Sequence, residues 1–444
     1  MPKVYIRTYG CQMNVRDSEQ MARQFQDLGY ELTEDEAEAD VILLNTCSVR
    51  DQAEQKALGN MNRLRELKRE KPWLTLGIAG CMAQSRGERL LENLPDVDLV
   101  VGTQRIHRVT EQVERIRSHG GGLKVVDVGM EEGSERAIRD HVLNGPRASA
   151  FVSIMQGCNL RCSFCIVPAV RGAERSRSID EIVDEVRQLA AAGVKEVMLL
   201  GQVVNFYGNR FAEKKAGETP FVRLLEAVNE VEGVERIRFA SPHPLGFRDD
   251  LIEAMRRLPK VCEHVHLPAQ SGSDRILRLM RRGYTADRYR RLVERLREMI
   301  AGVAVTTDLI VGFPGETEAE FQDTVSLARE MEFDQAFVFR YSPRKGTPAA
   351  GMPGQLPVDE KRRRNQELLE VVNEVIKRRM EDEAGKEREV LVEGRSRLNP
   401  KRMTGRTRQN KIVVFEGDET LTARLVRMRI KRSLGFSLLG ETVA

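Results

Sequence analysis

The sequence predicts an α/β protein built from three parts: an N-terminal parallel α/β domain (1–120), a partial (βα)6 barrel (144–378) and a small C-terminal antiparallel β-barrel (379–444). Two observations predict this arrangement. Apolar strand-like runs alternate with helical runs through most of the chain, which is typical of parallel sheets. Near the C-terminus, short apolar runs are separated by Gly, Asn and Asp turns, which is typical of a small barrel. At 444 residues the chain is also too long for one core.

In the first part, each of three predicted strands is followed directly by a cysteine. The strands are 3–10, 40–46 and 74–80, and the cysteines are Cys11, Cys47 and Cys81. Helices are predicted between them, at Ser18–Leu28, Gln52–Glu70 and Gln84–Asn93. Because ligands of parallel sheets sit at the carboxyl ends of the strands, we expect the three cysteines to converge on one edge. Residues 120–147, with Gly120-Gly121-Gly122 and Gly145-Pro146, are predicted to form a linker.

The second part contains six predicted strand–helix units. The strands are Ala150–Met155, Glu196–Leu200, Arg236–Ala240, His264–Pro268, Val303–Val311 and Gln335–Tyr341. Ser178 to Glu181 and Thr317 to Glu320 have the pattern of capping boxes that open helices. Gly193 and Gly302 stand where helices are expected to end. The active site of such a barrel is expected at the carboxyl ends of its strands.

A predicted connecting helix, Asp359–Glu381, leads into the third part, which contains about five short strands. From Lys386 to Ala444 there are 14 Lys and Arg against 7 Asp and Glu, although the whole chain carries only +4. A basic end domain on a nearly neutral body indicates a polyanionic partner. Small barrels of this kind often bind nucleic acid.

Composition narrows the class of protein. The sequence contains no apolar run long enough to cross a bilayer, and Met1 to Cys11 has no apolar signal core, so we expect a cytoplasmic protein without a membrane partner. Seven cysteines cannot all pair, and clustered cysteines in a reducing compartment favour metal chemistry. Cys262 stands alone and is expected to be a buried structural residue.

Cys158, Cys162 and Cys165 carry the strongest chemical signal. They form C-x3-C-x2-C immediately after the first barrel strand. Three thiolates on one loop can hold three irons of a 4Fe-4S cluster, which usually has four protein ligands, so one iron stays open to a small molecule. The alternative is a zinc site, but zinc needs a fourth ligand and residues 140–180 offer only His141.

The motifs around these cysteines resemble those of the radical-S-adenosylmethionine methylthiotransferase family, over essentially the whole chain. They are Gly10-Cys11-Gln-Met-Asn14, Asn45-Thr-Cys47-Ser-Val-Arg50, Gly80-Cys81-Met-Ala-Gln84, Gln156-Gly-Cys158-Asn, Leu200-Gly-Gln202, His266-Leu-Pro-Ala-Gln270-Ser-Gly-Ser273, Asp308-Leu-Ile-Val-Gly312-Phe-Pro-Gly-Glu316 and Tyr341-Ser-Pro-Arg344. The sequence is most similar to the MiaB branch, which acts on isopentenyladenosine in tRNA, and its tail resembles a TRAM domain. It departs at Val203, where that branch usually has Asn.

The resemblance implies two 4Fe-4S clusters, one held by Cys158, Cys162 and Cys165 and a second by Cys11, Cys47 and Cys81. It implies S-adenosylmethionine (SAM) as a cofactor, cleaved to a 5′-deoxyadenosyl radical that removes hydrogen from carbon 2 of adenine, and a methylthio group delivered through the second cluster. No catalytic side chain beyond the cluster ligands is implied. The expected SAM-binding residues are Gln202, Gln270, Ser271 and Gly312. The implied partners are tRNA with an isopentenylated anticodon loop and an electron donor, and we expect a monomer.

Seven cations and no acid lie between Arg395 and Lys411. Phosphate contacts are expected from Arg395, Arg397, Lys401, Arg402, Arg406 and Arg408.

Three alternatives are left open. The same chemistry could act on a ribosomal protein or on a threonylcarbamoyl adenosine, as in sister branches of the family; the basic tail favours RNA. The chain could instead be a non-catalytic iron–sulfur regulator that binds RNA.

Overall fold

The computed structural model describes residues 1–48, 51–120, 122–131, 133–137, 147–211 and 217–443. Much of the predicted linker therefore lies outside the described residues. So do the following residues named above: Val49, Arg50, Gly121, His141, Gly145, Pro146 and Ala444.

The first domain is one six-stranded parallel sheet. Its strands are β1 (Lys3–Tyr9), β2 (Glu31–Leu32), β3 (Val41–Thr46), β4 (Thr75–Gly80), β5 (Leu99–Val101) and β6 (Val125–Asp127). They are arranged in the order β2-β1-β3-β4-β5-β6, and every neighbouring pair is parallel. The three predicted strands are confirmed as β1, β3 and β4. The sheet continues past residue 120, where the sequence predicts the domain to end.

The helices of this domain differ from the prediction next to two of the cysteines, Cys11 and Cys81. They are α1 (Gln12–Asp27), α2 (Asp51–Glu70), α3 (Cys81–Arg86), α4 (Arg89–Asn93) and α5 (Val109–Ser118). Helix α1 begins well before the predicted Ser18, because its first turns bury polar side chains such as Asn14 and Asp17 that break the apolar periodicity. The predicted helix Gln84–Asn93 is two helices, separated at Gly87, whose φ is +50°.

All six predicted barrel strands are confirmed. They are β7 (Ser149–Ser153), β10 (Glu196–Leu200), β11 (Arg236–Phe239), β12 (His264–His266), β13 (Ala304–Val311) and β14 (Gln335–Arg340); β8 (Met155–Gln156) and β9 (Arg175–Ser176) form a separate antiparallel ribbon. Strands β7, β10 and β11 form one parallel sheet and β12, β13 and β14 another. A parallel bridge between Ile237 and Val261 joins the two sheets into an open, six-stranded partial barrel.

Seven helices accompany the barrel strands: α6 (Val167–Arg171), α7 (Ile179–Ala191), α8 (Pro220–Asn229), α9 (Asp249–Arg257), α10 (Asp274–Leu279), α11 (Ala286–Met299) and α12 (Glu318–Met331). Both predicted capping boxes form, at Ser178 before α7 and at Thr317 before α12. Gly193 and Gly302 follow α7 and α11 with φ of +90° and +69°, a conformation that glycine adopts without strain.

The last part is a long helix followed by a closed five-stranded barrel. These elements are α13 (Val358–Glu381), β15 (Glu387–Arg395), β16 (Met403–Thr407), β17 (Ile412–Phe415), β18 (Leu425–Ser433) and β19 (Leu438–Thr442). The barrel order is β15-β16-β17-β19-β18. The sequence predicts an antiparallel barrel, but β17 and β19 pair in parallel. An odd number of strands cannot alternate in direction around a closed ring, so one neighbouring pair has to be parallel.

One apolar core runs through the partial barrel, α13 and the C-terminal barrel, whereas the first domain packs two separate clusters on the two faces of its sheet. Lone Cys262 is buried, as predicted. Among the described residues, no helix is both long and apolar enough to span a membrane.

Candidate active site

The three strand-end cysteines of the first domain lie at one edge of its sheet, as the strand pattern predicts. Cys11, Cys47 and Cys81 follow β1, β3 and β4, which are neighbours in the sheet. The pairings Tyr9–Thr46 and Thr46–Gly80 bring the three strand ends level with one another. Each thiol therefore leaves its strand at the carboxyl edge, where parallel sheets bind ligands.

Two asparagines fix the backbone around these cysteines. Asn14 donates to Asn45 Oδ1 at 3.1 Å and to the Thr46 carbonyl at 3.2 Å, and Asn45 donates back to the Asn14 carbonyl at 2.8 Å. Cys11 Sγ lies 3.4 Å from Asn14 Oδ1. At Gly80, with φ of +90°, a Cβ would lie 2.3 Å from Asn45 Oδ1, so only glycine fits beneath this pair. Both asparagines belong to motifs identified in the sequence, but those motifs do not predict the hydrogen bonds between them.

The electrostatic surroundings of the three thiols differ. Cys11 is the N-cap of α1, where the helix dipole favours an anion. A hydrogen bond from Cys47, aided by the charge of Arg171, lowers the pKa of Cys11 to about 5. Burial raises the pKa of Cys81, and the Arg171 guanidinium, which hydrogen-bonds its sulfur, opposes that rise.

Arg171 belongs to the barrel and reaches across to the first domain. It donates to Asp17 of α1 at 2.5 and 3.3 Å, and both side chains are almost completely buried. The carbonyls beside it are also held by the first domain, since Thr103 donates to the Val170 carbonyl at 2.5 Å and Gln104 to the Arg171 carbonyl at 3.3 Å. Helix α6 is thus one of the elements that surround the strand-end cysteines of the first domain.

Cys158, Cys162 and Cys165 lie on the loop between β8 and α6. The Cys158 amide donates to the Gly172 carbonyl at 3.1 Å, and Arg282 Nη1 lies 3.5 Å from Cys162 Sγ. Gly157 has φ of +78°, and a Cβ there would lie 2.0 Å from the Ala173 carbonyl oxygen. Burial raises the pKa of Cys158, and that of Cys165 to about 12, so these thiols are protonated in the metal-free protein.

The two cysteine groups meet across α6. Cys81, Ile166 and Val170 form one small buried apolar cluster, and Ile166 directly follows Cys165. Across the ranges that the structure describes, no three Cys, His, Asp or Glu side chains form a group that could hold a metal ion. The assignment of both cysteine triads to clusters therefore stays a prediction.

The carboxyl ends of the barrel strands carry buried polar atoms without a hydrogen-bond partner. They are Gln156 Nε2, Gln202 Oε1, His243 Nε2 and Gln270 Oε1. Leaving such atoms unpaired costs free energy unless a ligand satisfies them. Gln270 is held with φ of +70° by backbone hydrogen bonds to Asp308 and Ile310 of β13. The sequence predicts Gln202 and Gln270 as cofactor-binding residues but does not indicate Gln156 or His243.

Ser271 and Gly312, also predicted to bind the cofactor, are engaged within the protein. The Ser271 hydroxyl lies 3.3 Å from Thr324 Oγ1 and accepts from the Ser273 amide at 3.1 Å. The Gly312 amide donates to Glu316 at 2.7 Å, and a Cβ there would meet the Lys361 side chain at 2.5 Å. These two residues shape the strand ends, whereas the two glutamines present free groups.

The predicted phosphate-binding residues of the tail differ in how far their side chains are already engaged within the protein. Arg408 is docked on the partial barrel, where it donates to Glu263 at 2.8 Å and to the Val261 carbonyl at 2.8 Å. Arg406 pairs with Glu393 at 2.9 Å and Arg395 with Glu419 at 3.1 Å. Arg397 and Lys401 are exposed, and Arg402 is half-buried.

The same face of the barrel binds the tail through β11. Arg236 donates to Glu389 at 2.9 Å, and Arg238 donates to the Thr407 carbonyl at 2.7 Å. Together with the bonds of Arg408, these charge-assisted hydrogen bonds attach the C-terminal barrel to the partial barrel.

Three family models match the chain. The radical SAM superfamily matches residues 152–328, the uncharacterized protein family UPF0004 matches residues 3–102, and the TRAM domain matches residues 381–443. The tRNA-2-methylthio-N(6)-dimethylallyladenosine synthase of Akkermansia muciniphila is 53% identical over 99% of this chain and 98% of its own length. The protein of the same name from Methylacidiphilum infernorum is 48% identical over 99% of this chain and 94% of its own length.

The chain belongs to the tRNA-2-methylthio-N(6)-dimethylallyladenosine synthase family.

Solved structures of radical SAM enzymes share the fold of this family member. The radical SAM methyltransferase TsrM from Kitasatospora setae matches with a TM-score of 0.55 and 14% identity, over 79% of this chain and 77% of its own. The cobalamin-dependent radical enzyme OxsB matches with a TM-score of 0.51 and 11% identity, over 84% of this chain and 58% of its own. At this identity the similarity concerns the fold alone.

Membership in the radical SAM superfamily implies a 4Fe-4S cluster and SAM. The chemistry of the side chains present suits both groups, although the described thiols are not gathered into a metal-holding group. Three thiols on one loop, with Arg282 as a cation beside Cys162, suit a cluster with one iron free of protein ligands. The unpaired amide and imidazole atoms at the strand ends suit a polar ligand such as SAM.

Proposed function

We propose that this chain transfers a methylthio group to carbon 2 of N6-isopentenyladenosine next to the anticodon in tRNA. The observation that carries the proposal is the contact at α6, where Cys81 packs on Val170 of this helix and on Ile166, the residue after Cys165. Sulfur insertion into an unactivated carbon–hydrogen bond needs a radical source and a sulfur carrier close together. The relatives are named for this modification, which supports the same substrate here.

Each cysteine triad would hold one 4Fe-4S cluster with an iron that lacks a protein ligand. When bound, the clusters and SAM supply the radical and sulfur chemistry that the side chains cannot perform themselves. The protein holds the triads in place. Arg282 supports Cys162, the Asn14–Asn45 pair supports the loops of the first triad, and Arg171 places a buried positive charge beside Cys81.

Gln202 and Gln270 would bind polar groups of SAM through their unpaired side-chain oxygens, and Gln156 and His243 would contribute their own unpaired nitrogens. Glutamine oxygens accept hydrogen bonds, so they suit the ammonium and hydroxyl donors of the cofactor. Ser271 and Gly312 would define the shape of the site. Because these atoms are buried, the site also excludes the water that would quench a reactive species.

The tail would bind the tRNA backbone through Arg395, Arg397, Lys401, Arg402 and Arg406. Phosphate contacts give affinity and orientation, while the base to be modified has to be splayed out of its loop to reach the barrel mouth. Arg408, the sixth predicted residue, would instead keep the tail in position by its bonds to Glu263. The protein would act as a monomer with a separate electron donor.

The test is an anaerobic assay of the reconstituted full-length protein with SAM, a reductant and tRNA carrying isopentenyladenosine. We expect 2-methylthio-N6-isopentenyladenosine in the digested tRNA, measured by nucleoside mass spectrometry. The C262A variant is the matched control, since Cys262 is buried but belongs to neither triad, and it should retain activity. Methylthiolation of ribosomal protein with no change in tRNA would overturn the proposal, as would SAM-independent RNA binding without any product.

A further inference from the structure

Two phenylalanines of β14 are unusually exposed for large apolar side chains of a barrel strand. Phe337 is 44% exposed and Phe339 is 38% exposed. They lie two residues apart, so they point to the same face of the strand. On the opposite face, Ala336 and Val338 pack against the core formed with α12 and α13. The two phenylalanines therefore face the inside of the open barrel.

Strand pairing and ring contacts confirm that direction. Phe337 is opposite Asp308 and Phe339 is opposite Ile310 on β13, so each pair shares one face. The ring of His266 on β12 lies edge-on to Phe337, with centroids 6.0 Å apart. His266 Nδ1 lies 3.0 Å from Thr306 Oγ1, and its Nε2 lies 3.4 Å from Asp308 Oδ2. The aromatic surface is bordered by groups that can hydrogen-bond the edge of a base.

This aromatic surface adjoins the loop that carries Cys158, Cys162 and Cys165. Ile310, opposite Phe339, packs in a small cluster that includes Phe164, the residue before Cys165. The exposed side chain of Lys345 lies on the loop that follows β14, whereas Arg340 is on the face of the strand opposite the phenylalanines. An occupant of the surface would thus have one end near Cys165 and could place a negatively charged group toward Lys345.

We propose that Phe337 and Phe339 form a stacking platform for the splayed purine base of the RNA substrate. This proposal rests on the proposed function, and it names the subsite that would hold the base to be modified. Aromatic faces bind bases by stacking, and single-stranded RNA is recognised by bases splayed onto such side chains. A cation such as Lys345 suits a phosphate next to the base. The hydrocarbon N6 substituent would add apolar contact with the rings.

The test uses the reconstituted full-length protein and a stem–loop RNA with 2-aminopurine at the target position. Stacking quenches the fluorescence of 2-aminopurine. We expect wild type to quench it, and F337L/F339L to bind about tenfold more weakly with little quenching, since leucine keeps apolar volume but lacks an aromatic face. F337W/F339W should restore quenching. W73L removes an exposed aromatic side chain of the first domain and should bind like wild type.

Two further readouts keep a stacking role separate from a structural one. The iron content of the reconstituted protein should be unchanged in F337L/F339L, and the slope of log affinity against log salt should also be unchanged, because stacking releases no counterions. Wild-type affinity and quenching in F337L/F339L would overturn this inference and leave the proposed function standing. Failure of wild type to bind the stem–loop would overturn the proposed function, and the inference would fall with it.

Discussion

Arg171 Nη2 lies 2.5 Å from Asp17 Oδ2, in a buried ion pair that joins the partial barrel to the first domain. Its partners are 154 residues apart in sequence. Breaking a buried pair from one side leaves an uncompensated charge, which costs about 3–5 kcal/mol. We therefore expect R171M to lower the free energy of unfolding of the metal-free protein strongly, measured by denaturant titration, and R171M/D17N to recover part of the loss.

The control for that measurement is R187Q. Arg187 pairs with Asp184 at 2.8 Å, but both side chains are mostly exposed, and such a pair contributes about 0–1 kcal/mol. Equal effects of R171M and R187Q would contradict an ion pair that holds the domains together.

The metal-free cysteines should differ in reactivity with pH. The pKa of Cys11 is lowered to about 5, so above that pH it is a thiolate and iodoacetamide should alkylate it at a nearly constant rate from pH 6 upward. The pKa of Cys165 is raised to about 12, so its alkylation should increase throughout the alkaline range. Mass spectrometry of peptides labelled at several pH values measures both profiles. R171M should move the Cys11 profile to higher pH, and equal profiles for the two cysteines would contradict the assignment.

Iron content tests the two-cluster proposal. Anaerobically reconstituted protein should hold about eight irons, and C158A/C162A/C165A should hold about four, if each triad binds its own cluster as proposed. Colorimetric iron and sulfide analysis gives the count. C262A should match wild type. Loss of all iron, or of none, in the triple variant would show that the cysteines were assigned wrongly.

The two cysteine triads should have different functions, one in SAM cleavage and the other in sulfur insertion. We expect C11A/C47A/C81A to retain reductive cleavage of SAM, because Cys158, Cys162 and Cys165 are intact, and to lose sulfur insertion completely. Chromatography of 5′-deoxyadenosine and mass spectrometry of the tRNA nucleosides report the two steps. Absence of 5′-deoxyadenosine in a variant that still holds about four irons would contradict this division of roles.

The tail should show two kinds of arginine. R397Q/K401Q removes exposed charges, so tRNA affinity should fall and the salt slope should become shallower by about 1–2, as expected for one or two lost phosphate contacts. R408Q removes the bonds to Glu263 and should lower the thermal stability of the C-terminal barrel while the slope changes little. Binding across a salt titration, with thermal unfolding in parallel, distinguishes them. A large slope change in R408Q alone would place the RNA on the other side of this interface.

Features set by local sequence could be predicted. The apolar runs at β3, β4 and the six barrel strands form strands because a short apolar run between turns has few other stable states. Capping boxes at Ser178 and Thr317 formed because they need only residues three positions apart. The cysteine positions at strand ends followed from the same patterns, together with the rule that parallel strands end at one edge.

Tertiary structure decided what depends on distant partners. Helix α1 begins at Gln12 because Asn14 and Asp17 find buried partners in Asn45 and Arg171, which no periodicity reveals. Arg408 resembles its cationic neighbours in sequence, but its bonds to Glu263 and the Val261 carbonyl turn it from a solvent-facing charge into a contact between domains. The sequence by itself determined the elements and the thiols, since those depend on local pattern. The structure alone decided which charges are exposed, which are buried, and how Cys81 contacts the residues at α6, because burial and ion pairing depend on packing in three dimensions.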